Sequence, residues 1–238
     1  MKSLFLVSIM LIFLANSGCK ERSDKAAEPA MAPINFLALG DSYTIGEGVE
    51  ADAGWPAILH DTLEQLGVSV LPPRIIARTG WTTDELLAAM AEENLEPPYE
   101  LVSLLIGVNN QFRGETRGYR LEGYGEEYST LLNQAIELAN GDPGRVLVLS
   151  IPDYSVTPFV AEQNRTKVSR EIDAYNQIKK QLSDEAGVLF VDITPISRMA
   201  ANDQGLLAAD QLHPSEVMYR KWVIEMLPGV LKSRFENK

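Results

Sequence analysis

Five short apolar runs alternate with longer amphipathic segments along most of this chain, and this alternation constrains the fold more than any other feature. The apolar runs predict strands at Ile34–Leu39, Arg74–Ala77, Leu101–Ile106, Val146–Ser150 and Val188–Val191. The amphipathic segments predict helices at Trp55–Leu66, Asp84–Asn94, Glu126–Ala139, Val168–Ala186 and Pro214–Phe235. This regular alternation indicates a three-layer α/β/α sandwich, in which helices cover both faces of a five-stranded parallel sheet.

The residues that follow the strands are of most interest, because open parallel sheets form their sites outside the carboxyl ends of strands. Ser42, in Gly40-Asp41-Ser42 after the first strand, is a candidate nucleophile. The alternative is a serine in a flexible turn, since three glycines lie within Gly40–Gly48. The corresponding segments after the later strands are Arg78–Trp81, Gly107–Gln111 and Pro152–Tyr154.

The chain has two histidines, and a serine nucleophile that uses a histidine base must use one of them. His60 lies within a predicted amphipathic helix, which favours a surface role. His213 lies in a predicted loop three residues after Asp210, whose carboxylate could fix the imidazole tautomer and stabilise the imidazolium. Pro214 suits the first position of the final helix, because that position needs no N–H donor. If Ser42 is a nucleophile, Asp210 and His213 are the candidates to complete a catalytic triad; the alternative is that Asp210-x-x-His213 is a loop that caps the final helix.

Composition and missing motifs exclude several other classes of protein. The chain carries 21 basic and 33 acidic residues, and this net charge of −12 argues against a nucleic-acid partner. It has no Gly-x-Ser-x-Gly elbow of the α/β-hydrolase kind and no phosphate-binding Gly-x-x-x-x-Gly-Lys loop. One cysteine and two histidines argue against a zinc cluster. We expect neither a metal nor a cofactor.

Four motifs, in this order, resemble those of the SGNH, or GDSL-type, esterase and lipase superfamily. They are Gly40-Asp41-Ser42, Gly80 in Arg78–Thr83, Asn109 in Gly107-Val108-Asn109-Asn110, and Asp210-x-x-His213. The resemblance covers most of the chain from Ile34 to the final helix and implies the flavodoxin-like SGNH-hydrolase fold. It further implies an oxyanion hole made by the N–H groups of Ser42 and Gly80 and the side chain of Asn109. Asn110 stands where the family usually carries aspartate, whereas the oxyanion position itself is retained.

The reaction that this resemblance implies is hydrolysis of carboxylic esters through an acyl-enzyme on Ser42. We expect short-acyl or monoacyl substrates, with carbohydrate acetyl esters among them. A lysophospholipase or thioesterase would use the same machinery, and a non-catalytic, ligand-binding envelope lipoprotein is an alternative of another class. Residues 111–124 are predicted as a loop that either contacts a carbohydrate or anionic leaving group or is simply solvated. Asp41, Arg113 and Tyr154 are candidate substrate-binding residues, and Asp41 is also expected to organise its loop.

The first residues are typical of a secretory signal: a basic start at Lys2, an apolar run over Leu4–Leu14 and then small residues. The run is too short to span a bilayer. Cys19, the single cysteine, follows Ser17-Gly18 in a pattern that resembles a bacterial lipobox, with Asn16 where leucine is usual. We predict a signal peptide (1–18), a flexible tether (19–33) and a hydrolase domain (34–238). Export and lipid anchoring would place the protein in the periplasm, or at the outer membrane or cell surface. The alternative is an ordinary secretory signal, and no oligomeric state is predicted.

Overall fold

The structure is a computed structural model that describes residues 32–114 and 120–235. The predicted signal peptide, Cys19 and nearly all of the tether therefore lie outside the described residues, as does part of the predicted 111–124 loop. Among the helices within these two ranges, none combines the length and the apolar character needed to cross a membrane.

Five parallel strands form one sheet in the order β2-β1-β3-β4-β5. They are β1 (Phe36–Gly40), β2 (Arg74–Ala77), β3 (Leu101–Leu105), β4 (Val146–Leu149) and β5 (Leu189–Val191). Every residue of the central strands β1, β3 and β4 is buried, which explains why their sequences do not alternate and contain a single polar residue, Ser103 in β3. The predicted five-stranded parallel sheet is confirmed, with each strand end within two residues of its predicted position.

Eight α-helices accompany the strands in the described part of the chain. They are α1 (Ser42–Ile45), α2 (Trp55–Gln65), α3 (Thr83–Glu92), α4 (Val108–Arg113), α5 (Leu121–Leu138), α6 (Glu162–Ala186), α7 (Thr194–Arg198) and α8 (Glu216–Phe235). Helix α2 packs against α8, whereas α5 packs against both α3 and α6. The chain moves from β1 outward to β2 and then returns past β1 to β3. With right-handed crossovers, this reversal puts α2 on one face of the sheet and α3 on the other.

The strand order makes the fold flavodoxin-like, as predicted, and it creates a topological switch point between β1 and β3. Ligands of such sheets bind in the crevice outside the carboxyl ends of the two strands at the switch point. The loop that carries Ser42 follows β1, and the segment that carries Asn109 follows β3. The fold therefore brings these two predicted site segments to the same crevice.

The long helices begin earlier than their apolar pattern indicated. Helix α5 begins at Leu121 rather than Glu126, and α6 begins at Glu162 rather than Val168. The first turns of α6 are exposed, so they carry no apolar residue to mark them. The prediction of a loop over residues 111–124 is wrong at both ends, because Gln111–Arg113 lie in α4 and Leu121–Tyr124 lie in α5.

Candidate active site

Ser42 is the first residue of a single helical turn, α1, that begins directly after the central strand β1. Gly40 is the last residue of β1, and any side chain at this position would overlap the hydroxyl of Thr44 and the carbonyl oxygen of Leu105. Glycine is therefore required before the Asp41-Ser42 pair by close packing. The alternative of a flexible turn serine does not describe this site, because Ser42 is buried and its loop is tightly packed.

Asp41 is the N-cap residue of α1. Its Oδ1 accepts a hydrogen bond from the N–H of Tyr43 at 3.0 Å, while its Oδ2 is buried and has no hydrogen-bond partner among the described residues. Burial raises the pKa of Asp41 to about 7, although the Tyr43 N–H and the ammonium group of Lys179 oppose the rise. Asp41 thus organises the loop, as expected, and the substrate-binding role predicted for it stays a prediction.

His213 is paired with Asp210 as predicted. Asp210 Oδ2 lies 2.6 Å from His213 Nδ1, and Oδ1 accepts the backbone N–H groups of Leu212 at 2.9 Å and His213 at 3.0 Å. Burial by itself raises the pKa of Asp210, but the hydrogen bonds from His213 and Leu212 outweigh it and hold this pKa below its usual value. The ionised carboxylate keeps the proton of the neutral imidazole on Nδ1, which leaves Nε2 as the acceptor.

The His213 loop is closed by a short β-bridge, which corrects one prediction. Pro214 pairs with Leu207 in an isolated antiparallel bridge, and the N–H of Ala208 donates to the carbonyl of His213 at 2.8 Å. Helix α8 begins at Glu216, so Pro214 is not its first residue. The bridge tolerates proline because its hydrogen bonds come from the N–H groups of Ala208 and Ser215, which donate to the carbonyls of His213 and Leu206, so it needs no N–H at position 214.

The α1 loop packs directly on the Asp210–His213 turn. The rings of Tyr43 and His213 meet edge to face with centroids 5.5 Å apart. Gly48 lies so close to Asp210 that a Cβ at this position would be 3.3 Å from Asp210 Oδ2. The structure therefore brings the predicted nucleophile segment and the predicted base together from opposite ends of the sequence.

Gly80 lies in a tight turn after β2, with the N–H of Trp81 donating to the carbonyl of Arg78 at 3.2 Å. Its φ of +87° is in the region that favours glycine. Among the described residues, the N–H groups of Gly80 and Ser42 both lack a hydrogen-bond acceptor. Both N–H groups are therefore available to bind another acceptor.

Asn109 lies in the first turn of α4, not in a loop. Its side-chain amide donates to the carbonyl of Trp81 at 2.9 Å, which fixes the orientation of the amide and leaves its second N–H for another acceptor. Asn109 therefore links the segment after β3 to the segment that contains Gly80.

Asn110, the residue that departs from the usual motif, is buried and makes two contacts with Thr83. Its Oδ1 accepts the N–H of Thr83 at 3.1 Å, and its Nδ2 donates to Thr83 Oγ1 at 2.7 Å. The same hydroxyl is hydrogen-bonded to Glu127. The asparagine thus supplies both an acceptor and a donor to Thr83, so the support beside the oxyanion position is retained.

Arg113 and Tyr154, two further candidates, are both engaged with protein groups. Arg113 donates from Nη2 to the carbonyl of Gly80 and from Nη1 to Glu85 Oε1 at 3.0 Å. Tyr154 donates from its hydroxyl to Gln111 Oε1 at 2.8 Å. Their predicted substrate contacts stay predictions, while the observed bonds give Arg113 a clear structural role at the turn of Gly80.

Lys179 was missed by the sequence analysis. It is fully buried in α6 and donates to the carbonyls of Ile106 at 3.1 Å and Leu149 at 2.7 Å, where β3 and β4 end. Burial lowers its pKa to about 7, against the opposing effect of Asp41. A signal was present, because Lys179 continues the stripe of buried positions that includes Ile172 and Tyr175.

His60 fulfils the expectation of a surface role. It lies in α2 with its Nδ1 2.8 Å from the exposed Asp61, and no contact joins it to the candidate site. Across the described residues, no three His, Cys, Asp or Glu side chains cluster closely enough to hold a metal ion.

Comparison with known proteins decides the family. Residues 38–221 match the GDSL-like lipase/acylhydrolase family. The chain belongs to this family. This acylhydrolase is 29% identical over 191 residues to an acetylxylan esterase of Geobacillus stearothermophilus, a match that covers 76% of this chain and 77% of that protein.

Solved structures agree with this assignment at the level of the fold. One is a lipase/acylhydrolase from Enterococcus faecalis, with a TM-score of 0.66 and 18% identity over 84% of this chain and 96% of that one. Another is the acetylxylan esterase Axe2 of Geobacillus stearothermophilus, with a TM-score of 0.62 and 20% identity over 85% and 94% of the two chains. The acylhydrolase described here is accordingly a carboxylic ester hydrolase with the SGNH-hydrolase fold.

Proposed function

We propose that the protein hydrolyses carboxylic esters through a covalent acyl-enzyme on Ser42. The observation that carries this proposal is the Asp210–His213 pair packed against the helical turn that begins with Ser42. The ionised carboxylate of Asp210 orients the imidazole of His213 so that Nε2 can act as the base.

In the proposed reaction, His213 Nε2 removes the hydroxyl proton of Ser42 while the oxygen attacks the ester carbonyl. The negative charge that develops on the carbonyl oxygen is stabilised by the N–H groups of Ser42 and Gly80 and by the second amide N–H of Asn109. Collapse breaks the ester C–O bond, and His213 returns its proton to the departing alcohol. Water then attacks the acyl-enzyme, with His213 again acting as base, and the acid leaves.

For the substrate, we propose short-acyl esters, and acetyl groups on carbohydrate in particular. The acetylxylan esterase relative supports this choice, since the match spans more than three quarters of both chains. Lysophospholipid or thioester cleavage would use the same machinery and is the competing assignment.

Hydrolysis of p-nitrophenyl esters from acetyl to decanoyl tests both the proposed mechanism and the proposed substrate class. We expect the highest kcat/KM for acetyl or butyryl, and a fall in kcat of about 10⁶-fold in Ser42→Ala and His213→Ala. His60→Ala, which removes the other histidine, is the matched control and should retain full activity. Equal activity in wild type and Ser42→Ala would contradict the mechanism, and a maximum at decanoyl would contradict the substrate class. No wild-type activity at any length would favour the non-catalytic alternative.

We also propose that the protein is exported and anchored by lipid on Cys19. The lipobox-like Ser17-Gly18-Cys19 after a short apolar run supports this. Full-length protein should fractionate with membranes, and Cys19→Ala should release it to the soluble fraction. Membrane association that survives this substitution would contradict the anchor.

A further inference from the structure

A groove of about 1090 Å³ lies beside α4 and α6. We name it the α4–α6 groove. Its lining includes three aromatic residues and three polar ones: Phe112, Tyr154, Phe159, Gln111, Lys167 and Glu171. Its volume lies slightly above the usual range for small-molecule sites, about 300–1,000 Å³, and is far larger than an acetyl group requires.

One wall of the groove is formed by α4, the helix that carries Asn109 in its first turn. Phe112 follows Asn109 by three residues in α4, so the two side chains share a helix face about 4.5 Å apart along the axis. Arg113 also lines the groove, and its guanidinium group donates to the carbonyl of Gly80. The groove therefore shares α4 with Asn109, and it shares Arg113 with the turn of Gly80.

The aromatic part of the groove is a connected cluster with two exposed rings. The centroids of Phe112 lie 6.2 Å from Tyr154 and 5.8 Å from Phe159, and those of Tyr154 and Phe159 lie 6.4 Å apart. Phe112 is 55% exposed and Phe159 is 54% exposed. Contiguous exposed apolar surface with a polar rim marks a binding groove more often than scattered apolar residues do.

The polar part of the groove is held by a chain of hydrogen bonds. Tyr154 donates to Gln111 Oε1 at 2.8 Å, and Gln111 donates from Nε2 to Glu171 Oε2 at 2.8 Å. The other oxygen of Glu171 lies 3.6 Å from the ammonium group of Lys167. The side chains of Lys167 and Glu171 are 71% and 39% exposed, and an acyl chain would offer these two groups no hydrogen-bond partner. Sugar hydroxyls can supply such partners, while the apolar face of a sugar ring covers an aromatic ring.

We propose that the α4–α6 groove binds the sugar chain of an acetylated oligosaccharide, whose acetyl group points to Ser42. This inference rests on the proposed function, since it names the leaving group of that reaction. Phe112 and Phe159 stack on sugar rings, and Glu171 and Lys167 hydrogen-bond to their hydroxyl groups.

Kinetics on two acetyl esters of different size test the proposal. Phe112→Ala and Phe159→Ala should each lower kcat/KM for acetylated xylo-oligosaccharide about 3- to 10-fold, as expected for loss of one aromatic contact. The same variants should stay within about twofold of wild type on p-nitrophenyl acetate, which is too small to reach the groove. Phe112→Trp should retain activity on the oligosaccharide, because it keeps an aromatic face. Ile224→Ala, at an exposed apolar position of α8, is the control and should change neither rate.

Two results would overturn the proposal. Equal losses on both esters would show that the rings support the reaction centre rather than the sugar. A loss on p-nitrophenyl decanoate with no loss on the oligosaccharide would show that an acyl chain occupies the groove.

Calorimetric titration of inactive Ser42→Ala with the same oligosaccharide separates this proposal from the proposed function. Binding that is weakened about 3- to 10-fold by adding Phe112→Ala supports the sugar site, even if wild type releases no acetate. Absence of binding to Ser42→Ala, with wild type active on p-nitrophenyl acetate, overturns the sugar site and leaves the esterase intact.

Discussion

The guanidinium group of Arg113, at the end of α4, donates a hydrogen bond to the carbonyl oxygen of Gly80, in the turn after β2. This hydrogen bond is one of three connections between α4 and the segment after β2. The other two are the bond from Asn109 to Trp81 and the pair of bonds between Asn110 and Thr83. A backbone donor stabilises an oxyanion only when its direction is fixed before the charge develops. The contacts of α4 therefore hold the Gly80 turn as well as present Asn109.

Arg113→Met should lower kcat about 10- to 100-fold on p-nitrophenyl acetate with little change in KM, because it loosens a donor that acts mainly in the transition state. Steady-state kinetics measure this split. Arg74→Met is the matched control, since Arg74 bonds Glu93 and the carbonyl of Asn94 on the surface, and it should be neutral. Guanidinium ion should partly restore Arg113→Ala but not Ser42→Ala. A rise in KM at constant kcat would instead mean that Arg113 contacts the substrate.

Asp210→Asn should lower kcat about 10³- to 10⁴-fold, because an amide no longer holds the His213 proton on Nδ1 or stabilises the imidazolium. The measurement is the initial rate on p-nitrophenyl acetate at neutral pH. Asp61→Asn disrupts the other Asp–His pair, on the surface, and should leave the rate unchanged. A loss of less than about tenfold in Asp210→Asn would mean that this pair does not orient the catalytic base.

Lys179→Met should lower the free energy of unfolding by about 2–4 kcal/mol. The substitution leaves the buried carbonyls of Ile106 and Leu149 without their hydrogen-bond donor, and it removes the cation that favours ionised Asp41. Urea unfolding at pH 7 measures this. Lys180→Met, at the next position, loses only an exposed pair with Asp184 and should change stability by about 0.5 kcal/mol or less. In the Lys179→Met variant, ¹³C NMR of the Asp41 carboxyl should show a still higher pKa. Unchanged stability in Lys179→Met would contradict this role.

Asp153, after β4, carries a pH-dependent part of the stability. Burial raises the pKa of the Asp153 carboxyl, but hydrogen bonds from Ser155, Ser169 and Arg198 lower it by more than burial raises it. The pKa therefore lies below the usual 3.8. Such a group stabilises the folded state above its unfolded pKa, and the contribution is lost as pH falls through the folded pKa.

Asp153→Asn should therefore reduce the free energy of unfolding by about 1.5–3 kcal/mol at pH 7, and this deficit should shrink below about pH 4. Urea unfolding of both proteins between pH 7 and pH 3 measures the difference. Asp184→Asn, at an exposed helix position, should show no comparable deficit at any pH. A deficit in Asp153→Asn that stays constant down to pH 3 would mean that its charge does not contribute.

The sheet and the Asp210–His213 pair were predictable for different physical reasons. Strands such as β1 and β4 are buried on both faces, so their sequences do not alternate between apolar and polar residues. His213 was the candidate base because the chain offers only His60 and His213, and the neighbouring Asp210 favoured the second. The first argument uses the residues of one strand, and the second uses the number of histidines in the chain and a spacing of three residues.

The features that could not be predicted from the sequence depend on contacts between distant segments. Helices α1 and α4 are too short to show a helical period, so neither was predicted from the sequence. Proline at position 214 suits both the start of a helix and a β-bridge that does not use its N–H. Only the pairing with Leu207 in the structure shows that the bridge is formed. The bond from Arg113 to Gly80 joins residues 33 positions apart, and no local pattern encodes it.

The most direct test of the account is covalent labelling by a fluorophosphonate, followed by mass spectrometry of the intact protein and of its peptides. We predict one phosphonyl group per chain, on Ser42, with no labelling of Ser42→Ala and about 10³-fold slower labelling of His213→Ala. His60→Ala should react at the rate of wild type. Labelling at another residue, or labelling that persists in Ser42→Ala, would contradict the claim that Ser42 is the nucleophile.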